Sequence, residues 1–287
     1  MRLQLEYLVP AAVTAVLLTT ACSSNAENTT EESNTSEEAL ETVQTEDVES
    51  AGEETEQTEE APEETEALQD EPEVTEPQYE INPAIWTVEA LGDAPSNVVL
   101  LTIDDAPDQY AVEMANTLKE KDAPAIFFVN GHFLDTPEEE AMLKEIHELG
   151  FQIGNHTYSH PNLRDLTEEE QREEIVSLSD RVEEIIGERP VFFRAPFGAN
   201  TDFSEQLAAQ EGMVLMNWTY GYDWEADYQD AAALQDIMVN TEFLTNGANL
   251  LMHDREWTYE ALPGIVDGLR EKGYDIVDPV LIKGIDQ

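Results

Sequence analysis

The chain has 287 residues and a formal net charge of −51, from 64 acidic against 13 basic residues. That excess of negative charge argues against nucleic acid or an anionic membrane surface as a partner. Cys22 is the only cysteine, so no internal disulfide can form. Residues 1–80 hold 23 acids and one base, Arg2, which leaves 41 acids and 12 bases in the remainder. A solubilising surface suited to high salt or high pH explains this balance more simply than acid-mediated binding does.

Residues 1–21 read as a signal peptide. Arg2 opens the segment, and the apolar run 8–21 is too short for a transmembrane helix. Cys22 stands where the run ends, before Ser23, Ser24 and Asn25. The stretch Leu18-Thr19-Thr20-Ala21-Cys22 resembles the box that precedes the lipidated cysteine of bacterial lipoproteins. That resemblance implies lipidation at Cys22 and a place on the outer face of the cell membrane; the plainer alternative is a cleaved signal and secretion. Residues 22–80 then form the lipidation cysteine and an acidic linker. From Ser23 to Glu80 there is no Lys or Arg, and Glu, Thr, Ser and Ala dominate. Such a segment buries too little apolar surface to offset its ordering entropy, so disorder is expected. Fully extended, it would reach roughly 190 Å.

Residues 81–287 read as the folded domain, where branched and aromatic side chains recur often enough for one substantial core. Strand-like runs fall at 98–103, 125–129, 151–153, 190–193, 213–218, 249–252 and 274–277. Helical patterns fall between them at 109–121, 137–149 and 168–186. Such alternation predicts an α/β fold with parallel strands and helices outside, as a layer or a barrel. Functional side chains in these folds gather at the carboxyl ends of strands.

Four strand ends carry chemistry-bearing residues. The first is Thr102-Ile103-Asp104-Asp105-Ala106-Pro107. Acid pairs before proline usually mark a solvated turn, but the apolar run 98–101 places this pair at the mouth of the fold. The second is His156-Thr157-Tyr158-Ser159-His160, which holds two of the five histidines. Histidines four apart share a face if the segment is helical, and with one Asp they make a three-ligand zinc-type site with an open position. The third, Arg194-Ala195-Pro196-Phe197-Gly198, offers a guanidinium to orient a carboxylate, against the ordinary reading of a surface ion pair. The fourth is Leu251-Met252-His253. Each is weak alone; their convergence is the signal.

Together these motifs resemble the polysaccharide deacetylases of the NodB-homology carbohydrate esterase family. Thr102–Pro107 corresponds to Thr-Phe-Asp-Asp-Gly-Pro, with Ile103 and Ala106 departing. His156–His160 corresponds to His-Ser/Thr-x-x-His, Arg194–Phe197 to Arg-x-Pro-Tyr/Phe, and Leu251–His253 to Leu-x-His. The resemblance covers about residues 98–279 and implies a distorted (β/α) barrel of about seven parallel strands. It implies a divalent metal ion, zinc foremost and cobalt or another cation as alternatives, held by Asp105, His156 and His160. It further implies Asp104 as general base, Arg194 holding Asp104, His253 as general acid and the Phe197 backbone N–H at the oxyanion. A base beside a divalent cation is expected to keep a low pKa, and a separate histidine near neutrality suits the acid.

One motif departs from the family. The usual Asp-Ser/Ala-x-Asp-Trp reads Tyr220-Gly221-Tyr222-Asp223-Trp224 here, with Tyr220 where the partner of the motif arginine is expected. Arg194 is then expected to pair more exclusively with Asp104. Asp223 and Trp224 are expected at the substrate pocket, with Trp218, Tyr220 and Tyr222 as a sugar-stacking surface or as core packing. The implied reaction is removal of acetyl groups from N-acetylated amino sugars of a cell-wall or surface polysaccharide, peptidoglycan N-acetylglucosamine first, by a monomer that touches the membrane only through its anchor. The alternatives are O-deacetylation of an acetylxylan-type polymer and an inactive glycan-binding pseudoenzyme.

Overall fold

The computed structural model describes residues 76–285. The signal peptide, Cys22 and all of the acidic linker up to residue 75 lie outside the described residues. The folded part begins earlier than residue 81. Strand β1 (Tyr79–Ile81) pairs antiparallel with β2 (Val88–Ala90), and Tyr79 is buried. Composition misses this hairpin because Tyr79 is its single early aromatic, set among acids.

The central sheet is built from β3 (Val98–Ala106), β4 (Ile126–Val129), β5 (Gln152–Asn155), β6 (Phe192–Phe193), β7 (Val214–Leu215), β8 (Ala248–His253) and β9 (Asp275–Ile276). Its order is β7-β6-β5-β4-β3-β8, with β9 pairing β3, and every pairing is parallel. The sheet curls into a half-closed (β/α) barrel. Helices α1 (Ala111–Glu120), α2 (Pro137–Glu148), α3 (Glu168–Ile186), α4 (Asp202–Gln210), α5 (Ala231–Asn240) and α6 (Glu256–Glu271) complete the fold. None of the described helices is long and apolar enough to cross a membrane.

Local sequence explains the helix ends. Thr136 with Glu139 and Thr167 with Glu170 form capping boxes that start α2 and α3. Gly187 stops α3 at φ 83, a conformation that costs a residue with a Cβ. Side-chain alternation along the strands divides the core. Val99, Leu101, Ile103, Leu250 and Met252 enter the outer cluster with Leu118, Leu262 and Ile265 of the helices. Val98 and Leu100 face inward, with Ile126, Phe128 and Phe192. The same period of two turns Thr102, Asp104, Asn249, Leu251 and His253 toward the barrel interior, where a polar site is then built.

Candidate active site

Asp104 is the last inward-facing residue before β3 loses its regular register, between Ile103 and Ala106. Its direct partner across the parallel pair is His253 of β8. Asp104 is buried at 2% exposure, and Arg194 Nη1 donates to its Oδ1 at 2.6 Å and to Thr102 Oγ1 at 2.8 Å. Arg194 Nη2 donates to the Asn217 carbonyl at 2.9 Å and to Asn249 Oδ1 at 3.4 Å. The guanidinium also lies over the Phe128 ring, 4.3 Å from its centroid. Burial dominates for both members of this ion pair, raising Asp104 and lowering Arg194, with their mutual attraction opposing it. The protein groups alone thus raise the proton affinity of Asp104.

Asp105, His156 and His160 bring one oxygen and two ring nitrogens within 4.8 Å of one another. The route differs from the expected one. Residues 156–160 are a loop rather than a helical turn, and Thr157 and His160 have φ of 68 and 58. The loop is tied down by Asn130, whose Nδ2 donates to the His156 and Thr157 carbonyls at 2.7 and 3.1 Å. His156 Nδ1 meets the Arg194 carbonyl at 2.7 Å, which turns Nε2 toward Asp104 and Asp105. Burial pulls the His156 pKa down to about 3, with the Asp105 charge opposing only in part. A neutral imidazole oriented by a backbone carbonyl is the form a metal ligand needs. The donor set of two imidazoles and one carboxylate fits a zinc-type dication.

Strain gathers here. Of six described non-glycine residues with positive φ, Asp105, Thr157, His160 and Phe197 all lie at this site. Such conformations cost about 1–3 kcal/mol each and persist where the surroundings over-determine them.

On the β8 wall, His253 Nδ1 bonds Asp223 Oδ1 at 2.7 Å, and the His253 backbone N–H donates to Asp223 Oδ2 at 2.6 Å. Asp223 is 1% exposed and also accepts from Thr258 Oγ1 at 2.8 Å. Burial works against the imidazolium, but the hydrogen bond and charge of Asp223, with Asp104 and Asp105, outweigh it and raise the His253 pKa. Nδ1 is occupied, so Nε2 is the nitrogen left for the pocket. Asp223 therefore orients the histidine, and it lines the cavity itself.

Both walls open on one cavity of about 510 Å³, which the two acids and three histidines line with Phe197 and Trp224 at its rim. Phe197 packs edge-on to His160 and Trp224 edge-on to His253, and both rings are exposed.

The profile of the family described as polysaccharide deacetylase matches residues 91–244. The chain belongs to the polysaccharide deacetylase family. A peptidoglycan-N-acetylglucosamine deacetylase of Bacillus cereus is 32% identical over 189 residues, covering 62% of this chain and 67% of the relative. A solved structure described as T48 deacetylase with substrate superposes with a TM-score of 0.60 at 30% identity, over 69% of this chain and 96% of that one. A CE4 family pseudoenzyme from Bacillus anthracis superposes with a TM-score of 0.59 at 28% identity, over 65% and 66% of the two chains. The chain spans between 37% and 70% of the length of curated relatives that it matches.

In this member of the family, the departing residue Tyr220 has no place in the pocket. It is 4% exposed, belongs to the outer core cluster, and its hydroxyl donates to the Met238 carbonyl at 2.8 Å. Tyr220 bridges to Leu250, so it shares Leu250's outward face, whereas Arg194 contacts Asn249 on the inward one. The expectations that Tyr220 lines the substrate site or stands beside Arg194 are both corrected. Among the described residues, Asp104 is the one carboxylate paired with Arg194. Tyr222 likewise packs outward, its hydroxyl on Thr241 Oγ1 at 2.7 Å, while Trp218 does line the cavity.

Arg255 and Trp257 also line the cavity and went unnoticed in the sequence. Arg255 Nη2 donates to Asp105 Oδ2 at 2.8 Å, and Trp257 Nε1 donates to the Asp223 carbonyl at 2.8 Å. The available signal was position: both follow His253 at a strand end already marked as functional.

Proposed function

We propose that this protein is a metal-dependent hydrolase that removes acetyl groups from N-acetylated amino sugars of a cell-wall or surface polysaccharide, peptidoglycan N-acetylglucosamine first. The observation that carries this reading is the convergence of the Asp105–His156–His160 cluster with the register partners Asp104 and His253 in one cavity. A divalent cation bound to that cluster supplies Lewis-acid polarisation of the acetyl carbonyl and of water. Asp104, held by Arg194, takes a proton from the attacking water as its oxygen bonds to the acetyl carbon. The Phe197 backbone N–H faces the oxygen that gains charge. His253, kept protonated by Asp223, delivers its Nε2 proton to the sugar nitrogen as the C–N bond breaks, releasing acetate and a free amine. Phe197 and Trp224 offer ring faces to the sugars on either side.

The test measures metal content and acetate release by the purified full-length protein on peptidoglycan, chitin oligomers and acetylxylan. Release from the amino-sugar polymers, abolished in Asp104→Asn, is the expected result. Release from acetylxylan alone would move the activity to O-acetyl esters. A metal-loaded protein inert on all three would overturn the enzyme reading in favour of glycan binding.

We also propose that Cys22 carries a lipid anchor, supported by its position at the end of the apolar run 8–21. Metabolic labelling with a fatty acid, lost in Cys22→Ser, checks it.

A further inference from the structure

Arg255 takes no part in the chemistry assigned above, yet it holds a proposed metal ligand. Its Nη2 donates to Asp105 Oδ2 at 2.8 Å and its Nη1 to the Asp254 carbonyl at 2.6 Å. The other carboxylate oxygen, Asp105 Oδ1, faces His160 Nε2 at 3.4 Å and His156 Nε2 at 3.9 Å. One oxygen is thus committed to the guanidinium and the other to the imidazoles. Asp105 sits at φ 60, within the irregular register of β3, where a side-chain-bearing residue needs external restraint. Asp254 restrains the same loop. Its carboxylate accepts the N–H groups of Asp108, Gln109 and Tyr110 at 2.7, 3.0 and 2.6 Å, and its own N–H donates to the Asp104 carbonyl at 3.1 Å. Three successive residues, His253, Asp254 and Arg255, therefore set the acid, the loop and the ligand.

We propose that Arg255 is a positioning residue that confines Asp105 to one-oxygen ligation of the divalent metal. The inference rests on the metal-site reading above. A carboxylate without such a partner can chelate a cation through both oxygens. The second oxygen would fill a coordination position that a hydrolytic site keeps open for water and substrate. The guanidinium also repels a dication on the far side of the same carboxylate. Both effects have the same sign for affinity. Removing Arg255 tightens metal binding and slows turnover, the reverse of the weakening usual when a ligand's hydrogen-bond partner is lost.

The test uses full-length wild type, Arg255→Gln and Arg255→Lys, each loaded with Co2+. The visible d–d absorption weakens and shifts to shorter wavelength as the coordination number rises, a readout that mere loosening of the fold does not produce. Arg255→Gln is expected to show that change, to bind Co2+ at least about threefold more tightly, and to lose about tenfold in kcat. Arg255→Lys keeps a donor and a positive charge, so it retains the wild-type band. The Arg255 side chain is 36% exposed, and an unchanged thermal midpoint of the metal-free variants confirms that each is folded. A wild-type band in Arg255→Gln, weaker Co2+ binding by that variant, or equal changes in both variants would overturn the proposal. Failure of the wild type to bind Co2+ would instead overturn the metal-site reading beneath it.

Discussion

Asp104 and His253 are register partners on adjacent parallel strands, so the groups proposed to take and to give the proton hang from neighbouring backbones. Neither can shift along its strand without breaking the pairing of β3 with β8. Each is also fixed from behind, Asp104 by Arg194 and His253 by Asp223.

That second contact predicts a pH effect. An acid whose pKa is raised stays protonated to higher pH, so activity falls only as pH climbs through the raised value. The alkaline limb of kcat/KM therefore lies above the ordinary histidine value of about 6.5. Asp223→Asn removes the leading raising influence and leaves burial to dominate, so the limb moves to lower pH. The same pairing stabilises the fold fully below the unfolded histidine's pKa and is lost as pH rises through the folded one. A pH–rate profile with its alkaline limb unmoved in Asp223→Asn would contradict the assignment.

Tyr220 is predicted to matter for stability alone. Met238 lies in the last turn of α5, where carbonyls lack helical partners, and the Tyr220 hydroxyl supplies one. Tyr220→Phe should cost about 1 kcal/mol, seen as a thermal midpoint lower by roughly 2–4 °C, with kcat/KM within about twofold of wild type. A large kinetic loss with normal stability would restore a role for this residue beside Arg194.

The ligand cluster makes a direct prediction about metal. A chelator should abolish acetate release, and Zn2+ or Co2+ should restore it. His156→Ala and Asp105→Asn should each weaken metal binding by more than about 100-fold, beyond the range usual for loss of an outer hydrogen-bond partner. Isothermal titration of the metal-free protein measures this, and full metal stoichiometry at micromolar ion in His156→Ala would exclude that residue as a ligand.

Gly221 is predicted to hold Trp224 in place. A Cβ there would meet the Leu251 carbonyl oxygen and the Trp224 ring. Displacing the ring does not relieve the contact with the backbone oxygen, so β8 must shift as well, two residues before His253. Gly221→Ala should therefore lower kcat as well as raise KM, each by about threefold or more. Steady-state kinetics on chitin oligomers decide it.

Much of this was legible in the residues themselves. Apolar runs before Asp104 and His253 marked both as strand-end residues, and the structure adds that the strand period of two turns them inward. Strand-end position marked Asp105, His156, Arg194 and Phe197, since the carboxyl ends of parallel strands open onto one rim. Helix α3 was readable from its charge pattern, and the structure supplies its Thr167 cap and the glycine that ends it. Three features were decided only by the tertiary structure. The ligand loop at His156–His160 is shaped by left-handed residues and by Asn130 rather than by helical spacing. The outward turn of Tyr220 follows from its bridge to Leu250, a contact across 30 residues that motif order does not encode. The grip of Arg255 on Asp105 spans 150 residues and exists because β3 and β8 are neighbours. Local periodicity is written in the chain; which strand lies beside which, and so which charge meets which, is settled by packing.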